Sequence, residues 1–226
     1  MLRGLVSAAA GMMGRIQQQD AIANNLANVN TSGYKRKVVA FSAFDAALRK
    51  AGELPQSDSA KLLTPRPTEF EDKSEGAIHT TGVATDFAID GPGYFVLQTS
   101  GGEKLVRDGS FQLDSTGRLI SSDGSLVMGE KGAIQITDQN WFVDPDGTIH
   151  SGSAVVDRLR IEGRSDGSNS SKQTRIASGC LESSNVNSVS EMVSMITGFR
   201  SYEACQKTIQ SLDQTLDKVI NQLGRG

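Results

Sequence analysis

Two long apolar stripes, one at each end of the chain, constrain its fold more than any other feature. In the first 30 residues, apolar side chains recur at alternating spacings of three and four, a heptad pattern with one polar member, Gln19. The stripe consists of Leu2, Leu5, Ala9, Met12, Ile16, Gln19, Ala23 and Leu26. This spacing predicts a helix over residues 2–30, roughly 40 Å long at ~1.5 Å per residue.

The last part of the chain, residues 186–223, carries a second stripe of the same kind. Its members are Val189, Met192, Ile196, Phe199, Tyr202, Cys205, Ile209, Leu212, Leu216, Val219 and Leu223. The alternation slips once, around Phe199 and Tyr202, where consecutive steps of three lead from Ile196 to Cys205, as in a coiled-coil stammer. No proline interrupts either segment. The pattern therefore predicts a second long helix.

Between the stripes, the period of the apolar residues changes to two and turn residues multiply. Short apolar runs lie at 87–90, 94–98, 104–106, 111–113, 118–120, 125–128, 133–136, 141–143, 148–150 and 155–161. Turn clusters such as Gly91-Pro92-Gly93 and Asp144-Pro145-Asp146-Gly147 separate them. Strands this short and this regularly spaced predict antiparallel β structure, as a compact barrel or sandwich.

The predicted fold class is α+β, with a central antiparallel all-β domain inserted between N- and C-terminal helices that form a coiled-coil-like α domain. The predicted parts are the N-terminal helix and the start of a link at 1–50, an extended link at 51–82, the β domain at 83–162, a polar link at 163–180 and the C-terminal helix at 181–226.

Each terminal stripe is too narrow to form a globular core, so each helix needs a partner. The nearest partner is the other end of the same chain, and the next is the same helices of neighbouring copies. We therefore expect self-association rather than catalysis. The predicted assembly interface consists of Leu5, Met12, Ile16, Asn24, Asn25, Leu26, Asn28, Val189, Met192, Ile196, Phe199, Ile209, Leu212, Leu216 and Val219.

Composition excludes several classes of partner. The formal net charge of −3 is small and mixed along the chain, which gives no electrostatic basis for binding nucleic acid. No apolar run approaches the ~20 residues of a membrane span, so we expect no membrane insertion. The start, MLRGLVSAAAGMMG, is a poor signal peptide because its helical pattern continues to residue 29. We expect this segment to be retained.

No constellation of catalytic or metal-binding residues is apparent. His79 and His150 are the only histidines and lack further ligands at zinc spacing. In GSLVMGEK, Glu130 stands where a phosphate loop needs its lysine. The DPDG segment at Asp144 lacks the later ligands of a calcium loop. We therefore predict no enzyme activity, no cofactor, no metal and no small-molecule substrate.

The segment ANNLANVNTSGYKR, Ala23–Arg36, contains four asparagines, and two interpretations of them are open. Amides packed between copies of one helix form hydrogen bonds without the like-charge repulsion of repeated Lys or Glu. Alternatively, the segment is a plain helix end, with turn formers capping the chain at Thr31-Ser32-Gly33 and Gly33 at positive φ.

Three segments resemble bacterial flagellar axial proteins, the rod and hook subunits. IANNLANVNTSGYKR at 22–36 is similar to their N-terminal signature. The segment at 178–223, in which LESSNVN leads into the long helix, resembles their C-terminal part. The segment at 89–129, which begins IDGPGYFVLQ, resembles the β domain of the rod proteins. The likeness is greatest to proximal-rod and distal-rod subunits, and VVDRLRIEG at 155–163 resembles the proximal type more.

This resemblance implies a structural subunit of the flagellar basal-body rod. Its terminal helices would form an inner coiled-coil layer around a central channel, with the β domain outside. Subunits would leave through the flagellar type III export apparatus without a cleaved signal peptide. They would join other rod and hook subunits in a helical tube that spans the periplasm and transmits motor torque. Two alternatives are a hook-type axial subunit and a secreted β-domain binding module on a helical stalk.

Overall fold

The structure is a computed structural model that describes residues 2–42, 66–138, 140–152, 154–163 and 174–223. The chain divides into two compact units. The helical unit comprises Met1–Ala27, Arg36–Asp72 and Val186–Gly226, and the β unit comprises Asn28–Lys35 and Lys73–Asn185. Long helices and antiparallel strands together confirm the α+β fold class.

The helical unit contains two long helices, α1 at Leu2–Ala27 and α2 at Ser188–Leu223. Both confirm the helices predicted from the apolar stripes. Helix α1 ends three residues before the predicted boundary because the next residues form a turn in which Thr31 N donates to Asn28 O. Helix α2 begins after Asn187, whose side-chain oxygen accepts from the Ser190 N–H at 3.0 Å as an N-cap.

Helices α1 and α2 pack against each other in antiparallel orientation. Asn25 near the end of α1 meets Glu191 near the start of α2, and Gln19 lies against Gly198 one to two turns further along. Gly198 is buried in this contact, and Ser194 beside it is half-buried. Small side chains on α2 therefore let the two helices approach closely.

A two-stranded ribbon completes the described part of the helical unit. Strand β1 at Lys37–Ser42 pairs antiparallel with β2 at Arg66–Glu71, with Val38 opposite Phe70. Helix α1 contacts β1. The sequence analysis identified neither strand, since β1 directly follows the asparagine-rich turn and β2 lies in the predicted link. Residues 43–65 of that region lie outside the described residues.

The β unit consists of short strands, and every ladder described in it is antiparallel. The strands are β3 Ile78–Thr80, β4 Phe87–Asp90, β5 Tyr94–Thr99, β6 Gly102–Val106, β7 Phe111–Leu113, β8 Leu119–Ser121, β9 Leu126–Val127, β10 Trp141–Val143, β11 Thr148–Ser151, β12 Ala154–Arg158, β13 Ile161–Glu162, β14 Arg175–Ser178 and β15 Cys180–Glu182. One sheet has the order β13-β5-β9-β8-β7 with β6 also on β5, a second is β10-β11-β12, and β14-β4 and β15-β3 form pairs.

Each predicted apolar run contains a strand except 133–136, for which the prediction was wrong. There, Ile134 N donates to Val127 O whereas Ile136 N donates to Gly117 O. Because the partner changes within the run from residues 127–128 to residues 117–118, only isolated bridges form and no continuous ladder develops. The strands β3, β14 and β15 were not predicted, and their pairing joins segments about a hundred residues apart in the chain.

One hydrophobic core stabilises the β unit. Its buried members are Phe87, Ile89, Phe95, Leu97, Phe111, Leu119, Val127, Ile134, Ile136, Ile149, Leu159 and Ile176. Phe95 and Phe111 meet edge to face, with ring centroids 5.2 Å apart. A Cβ on Gly109 would lie 1.7 Å from Phe87 O, so the absence of a side chain there permits the bond from Phe87 N to Gly109 O.

Tight turns connect the strands, and aspartates stabilise several of them. Asp114, Asp123 and Asp146 each accept a hydrogen bond from the backbone N–H two residues later. These and the accompanying side-chain hydrogen bonds lower the pKa of all three carboxyl groups. The predicted β-turn at 144–147 is confirmed, because Gly147 N donates to Asp144 O at 2.9 Å.

Candidate assembly interface

The first three turns of α2 expose an uncharged apolar surface, which we call the α2 stripe. Its side chains are 50–68% exposed. They are Val189, Met192, Val193, Ile196 and Phe199. Between Ser188 and Phe199 the one charged residue is Glu191, which is buried. An apolar surface of this kind without charge is typical of a protein–protein contact.

Among the side chains of α1 that the structure describes, from residue 11 onwards, the large apolar ones that are exposed are Met13 and Ile16, at 73% and 48%. The side of α1 that is buried within the helical unit carries Ala21, Ile22 and Asn25 instead. The heptad pattern therefore does not identify which residues of α1 pack inside the unit, because α1 packs against both α2 and β1.

The predicted assembly residues fall into several environments. Val189, Met192, Ile196 and Phe199 belong to the exposed α2 stripe, together with Val193, which was not predicted. The remaining ones with described side chains are exposed at Ile16 and Asn24, half-buried at Met12, Leu26, Asn28 and Ile209, and buried at Asn25. The side chains of Leu5, Leu212, Leu216 and Val219 lie outside the described residues, and their role stays a prediction.

Asn25 is the centre of a buried polar cluster in the helical unit. Its Oδ1 accepts from Lys37 N at 2.8 Å, and its Nδ2 donates to Lys37 O at 2.9 Å and to Glu191 Oε2 at 3.3 Å. Glu191 Oε1 accepts from Arg36 Nε at 2.7 Å. An amide suits this position because it offers donors and an acceptor at once. Asn25 therefore ties α1 to the first residue of β1 and to α2.

The neighbouring asparagines also form bonds within the chain. Asn24 Nδ2 donates to Asp20 O at 2.8 Å on its own helix. Asn28 Oδ1 accepts from Thr31 Oγ1 at 3.2 Å in the turn that follows α1. Gly33, at the end of that turn, has φ of 66°, as the capping interpretation expects. Asn24 and Asn28 thus have local partners, which favours the interpretation as a helix end over bonds between copies.

A second polar cluster lies in the β unit around Glu182, which is 3% exposed. Glu182 Oε1 accepts from Lys35 Nζ at 2.7 Å and from Gly76 N at 2.8 Å, and Oε2 accepts from Arg107 Nε. Burial acts to raise the pKa of Glu182, but the hydrogen bonds from Lys35, Gly76 and Arg107 outweigh it and hold the pKa below its ordinary value. The carboxylate is therefore charged at neutral pH.

Arg107 extends this cluster to the turn between β4 and β5. Its guanidinium, 7% exposed, donates to the carbonyl oxygens of Ile89, Gly91 and Gly93. Gly91 and Gly93 have φ of 120° and 138°, a backbone region that favours glycine. The Gly91-Pro92-Gly93 segment is thus a turn between strands, as predicted, and Arg107 fixes its shape.

The sequence analysis did not identify the charged residues of these two polar clusters, which are Lys35, Arg36, Arg107, Glu182 and Glu191. All five lie in the segments that carry the family resemblance, where Lys35 and Arg36 end the asparagine-rich segment, and Glu182 belongs to LESSNVN. A lone charged residue inside such an apolar or turn-forming motif is a usable signal, because burial requires it to have a partner.

His150 and Cys205, whose side chains are chemically reactive types, lie in ordinary packing environments. His150 stacks on Phe142 with ring centroids 4.7 Å apart, and its Nε2 is 2.8 Å from Asp144 Oδ2. Cys205 is half-buried on α2. In the described ranges, no three His, Cys, Asp or Glu side chains are grouped so that they could hold a metal ion. Neither described helix is long and apolar enough to cross a membrane.

Three parts of the chain match families of flagellar proteins. Residues 5–35 match the family described as flagella basal body rod protein. Residues 88–151 match the flagellar hook protein FlgE/F/G D1 domain, and residues 177–223 match the C-terminal part of the flagellar basal body rod FlgEFG proteins.

Similar proteins cover essentially the whole chain. The flagellar basal-body rod protein FlgG of Bacillus subtilis is 30% identical over 98% of this chain and 99% of its own length. FlgG of Borreliella burgdorferi is 30% identical over the full length of both chains. FlgF of Rhizobium meliloti is 30% identical over 99% of each. The chain therefore belongs to the family of flagellar basal-body rod proteins of the FlgF and FlgG type, which confirms the resemblance found in the sequence.

Proposed function

We propose that this structural rod subunit polymerises through its terminal helices into a helical tube that transmits motor torque. The α2 stripe carries this proposal. Five apolar side chains on three consecutive turns, with no exposed charge among them, are costly to leave in water, at ~25 cal/mol per Å². A polymer in which neighbouring subunits cover the stripe removes that cost.

Two different surfaces of the helical unit are available for contacts between copies. One is the α2 stripe, and the other is the apolar part of α1 at Met13 and Ile16. A contact between unlike surfaces of identical subunits is heterologous, and repeated heterologous contacts build a ring or, where the rotation does not close, an open helical polymer. The helices would then form a coiled-coil-like layer around a channel, with the β domain of residues 83–162 inserted between them in the chain.

Torque transmission requires each subunit to be internally stiff. The clusters around Asn25 and Glu182 support this requirement, because buried, fully bonded polar groups resist sliding of one element along another. The first fixes α1, α2 and β1 within the helical unit. The second fixes β15, Arg107 and the Gly91-Pro92-Gly93 turn within the β unit.

The site of action in this proposal is the rod of the basal body. The rod spans the periplasm, and the chain joins other rod and hook subunits in it. Membership in a family of basal-body rod proteins supports this location. We also propose export through the flagellar type III apparatus with the N-terminal segment retained, since that segment forms α1. We propose no catalytic role for this chain.

The proposal is tested by charged substitutions in the α2 stripe. The purified full-length chain is expected to form filaments or tubes above a threshold concentration, observed by sedimentation and electron microscopy. The double variant Ile196→Glu, Phe199→Glu should stay monomeric at that concentration. The control Gln206→Glu adds a charge at an exposed position of the same helix outside the stripe and should polymerise normally.

Polymerisation of the double variant at the wild-type threshold would argue against the proposal. Circular dichroism of each variant separates lost assembly from lost folding. A second pair, Leu212→Glu and Leu216→Glu, tests the distal half of the apolar pattern read from the sequence. It should also abolish assembly and leave the β unit folded.

A further inference from the structure

One face of the two-stranded ribbon in the helical unit is exposed and carries no charge. It consists of Val38 and Ala40 of β1 and Thr68 and Phe70 of β2, and we call these four residues the ribbon face. They share one side of the ribbon because Val38 is opposite Phe70 and Ala40 is opposite Thr68. Phe70 is 55% exposed and Val38 is 37% exposed, and Ala40 and Thr68 are exposed as well. An uncharged surface with an aromatic side chain this exposed indicates a contact with a partner.

The opposite face of the ribbon is charged. It carries Lys37, Glu69 and Glu71, since adjacent residues of a strand point to opposite sides. Lys37 Nζ lies 2.8 Å from Glu69 Oε1, and both glutamates are exposed. The ribbon is therefore amphipathic, with one side suited to water and the ribbon face suited to a protein surface.

The free edge of β2 is poorly suited to pair with a further strand. Asp72 N donates to Arg36 O, so the alternating antiparallel pattern turns the backbone groups of Pro67, Glu69 and Glu71 away from β1. Proline has no N–H to donate, and charged side chains on an edge strand oppose the addition of another strand. Strand addition at this edge is therefore disfavoured.

The edge of β1 is occupied where the strand begins. Helix α1 packs against β1, and its Asn25 bonds to both the N–H and the C=O of Lys37. Since neither edge favours strand addition, a partner is expected to contact the ribbon through side chains that pack on the ribbon face. A helix with an apolar side makes contacts of this kind with a sheet.

The α2 stripe of a second copy matches the ribbon face in dimensions and in charge. From Val189 to Phe199 the stripe is ~15 Å long at ~1.5 Å per residue, and each six-residue strand is ~20 Å long at ~3.4 Å per residue. Two strands ~5 Å apart are about as wide as one helix, ~10 Å. Neither surface exposes a charge, so a contact between them removes no charge from water.

The apolar surface of α1 is too short to cover the stripe. In the described part of α1, the exposed Met13 and Ile16 are three positions apart and extend over ~5 Å of the helix axis. The stripe is about three times as long. Of these two surfaces of the helical unit, the ribbon face is therefore the better counterpart for the stripe.

We propose that the ribbon face receives the α2 stripe of a second copy. This inference rests on the proposed polymerisation and names the surface that the stripe contacts. Each copy carries both the ribbon face and the stripe in its helical unit, so the contact joins unlike surfaces and can repeat from copy to copy. Phe70 supplies the largest side chain on the ribbon side of this contact.

The first experiment compares substitutions of two adjacent, exposed residues of β2 in the full-length chain. Phe70→Ser removes the aromatic ring from the ribbon face, and Glu71→Ser shortens a side chain on the opposite face as a matched control. Phe70→Ser should raise the threshold concentration for polymerisation about tenfold or more, and Glu71→Ser should leave it within about threefold. Equal thresholds for the two variants would overturn the inference. Circular dichroism and thermal unfolding of both monomers separate lost assembly from lost folding.

A cross-link identifies the surface that contacts Phe70. Replacement of Phe70 by the photoreactive p-benzoylphenylalanine keeps an aromatic side chain on the ribbon face. The variant is polymerised together with isotope-labelled wild-type chain and irradiated, and mass spectrometry locates the links between copies. These links should lie within Val189–Phe199 of the second copy. Links at other surfaces, such as Met13 and Ile16, or an absence of links at the stripe would overturn the inference.

Failure of this inference is distinguishable from failure of the proposed function. If the stripe variants stay monomeric while Phe70→Ser polymerises like Glu71→Ser, the proposed function stands and the stripe has another counterpart. If wild type does not polymerise, or if the stripe variants polymerise normally, the proposed function fails and this inference fails with it.

Discussion

The amide of Asn25 lies 3.3 Å from the carboxylate of Glu191, although 166 positions separate the two residues in the chain. Both residues are 1% exposed. The contact joins the C-terminal end of α1 to the N-terminal end of α2. A one-residue slip of either helix would leave buried polar groups without partners, so this contact specifies the register of the helix pair more strictly than apolar packing does.

Asn25→Ala should destabilise the helical unit by about 2–4 kcal/mol, because it leaves the N–H and C=O of Lys37 and the buried carboxylate of Glu191 short of partners. Asn24→Ala is the matched control at the next residue. Its side chain is exposed and bonds to its own helix, so the cost should be within about 0.5 kcal/mol. Urea unfolding followed by circular dichroism of the helices measures both, and equal costs would contradict the central role of Asn25.

Glu182→Gln should destabilise the β unit by about 3–5 kcal/mol, since it leaves the buried cations Lys35 and Arg107 without their counter-charge. Glu103→Gln removes an exposed partner of Arg160 and should cost less than about 1 kcal/mol. Fluorescence of Trp141, the single tryptophan, reports unfolding of this unit. A similar small effect for both variants would show that the Glu182 cluster does not stabilise the fold.

The stability supplied by Glu182 should depend on pH in a defined direction. Its pKa is lowered in the folded chain, so the unfolded chain takes up the proton first as the pH falls. The contribution is therefore complete above the ordinary value of 4.5 and is lost as the pH falls through the lower folded value. The difference in free energy of unfolding between wild type and Glu182→Gln should narrow below pH 4.5. A difference that widens on acidification would contradict this assignment.

Gly109→Ala should destabilise the β unit by about 3 kcal/mol or more, because the new methyl group would overlap Phe87 O and force β4 away from the core. Gly101→Ala places the same group in a turn where the nearest atom is Thr99 Oγ1 at 3.8 Å. That change should alter stability by no more than about 0.5 kcal/mol. Trp141 fluorescence during urea unfolding compares the two, and a tolerated Gly109→Ala would show that the close approach is not required.

Sequence periodicity predicted those elements of this protein that are specified by residues close together in the chain. Helices α1 and α2 were recognised because an amphipathic stripe repeats within the helix itself. The strands of the core were recognised because alternation and turn residues are also local signals. Strands β3, β14 and β15 were missed because each is stabilised by a partner distant in the chain. The run at 133–136 was misassigned because its bonding partner changes within the run, from residues 127–128 to residues 117–118.

The sequence by itself determined the two helices, most of the short strands, the absence of an evident catalytic motif and, through three motifs, the family. Tertiary structure alone decided which side of α2 is exposed, that Asn25 is buried within the chain, and that Lys35, Arg107 and Glu182 form one cluster. The physical reason is that a heptad pattern defines the apolar side of a helix but does not define which element packs against that side. Whether a polar side chain is buried depends on partners that are distant in sequence, which no local pattern encodes.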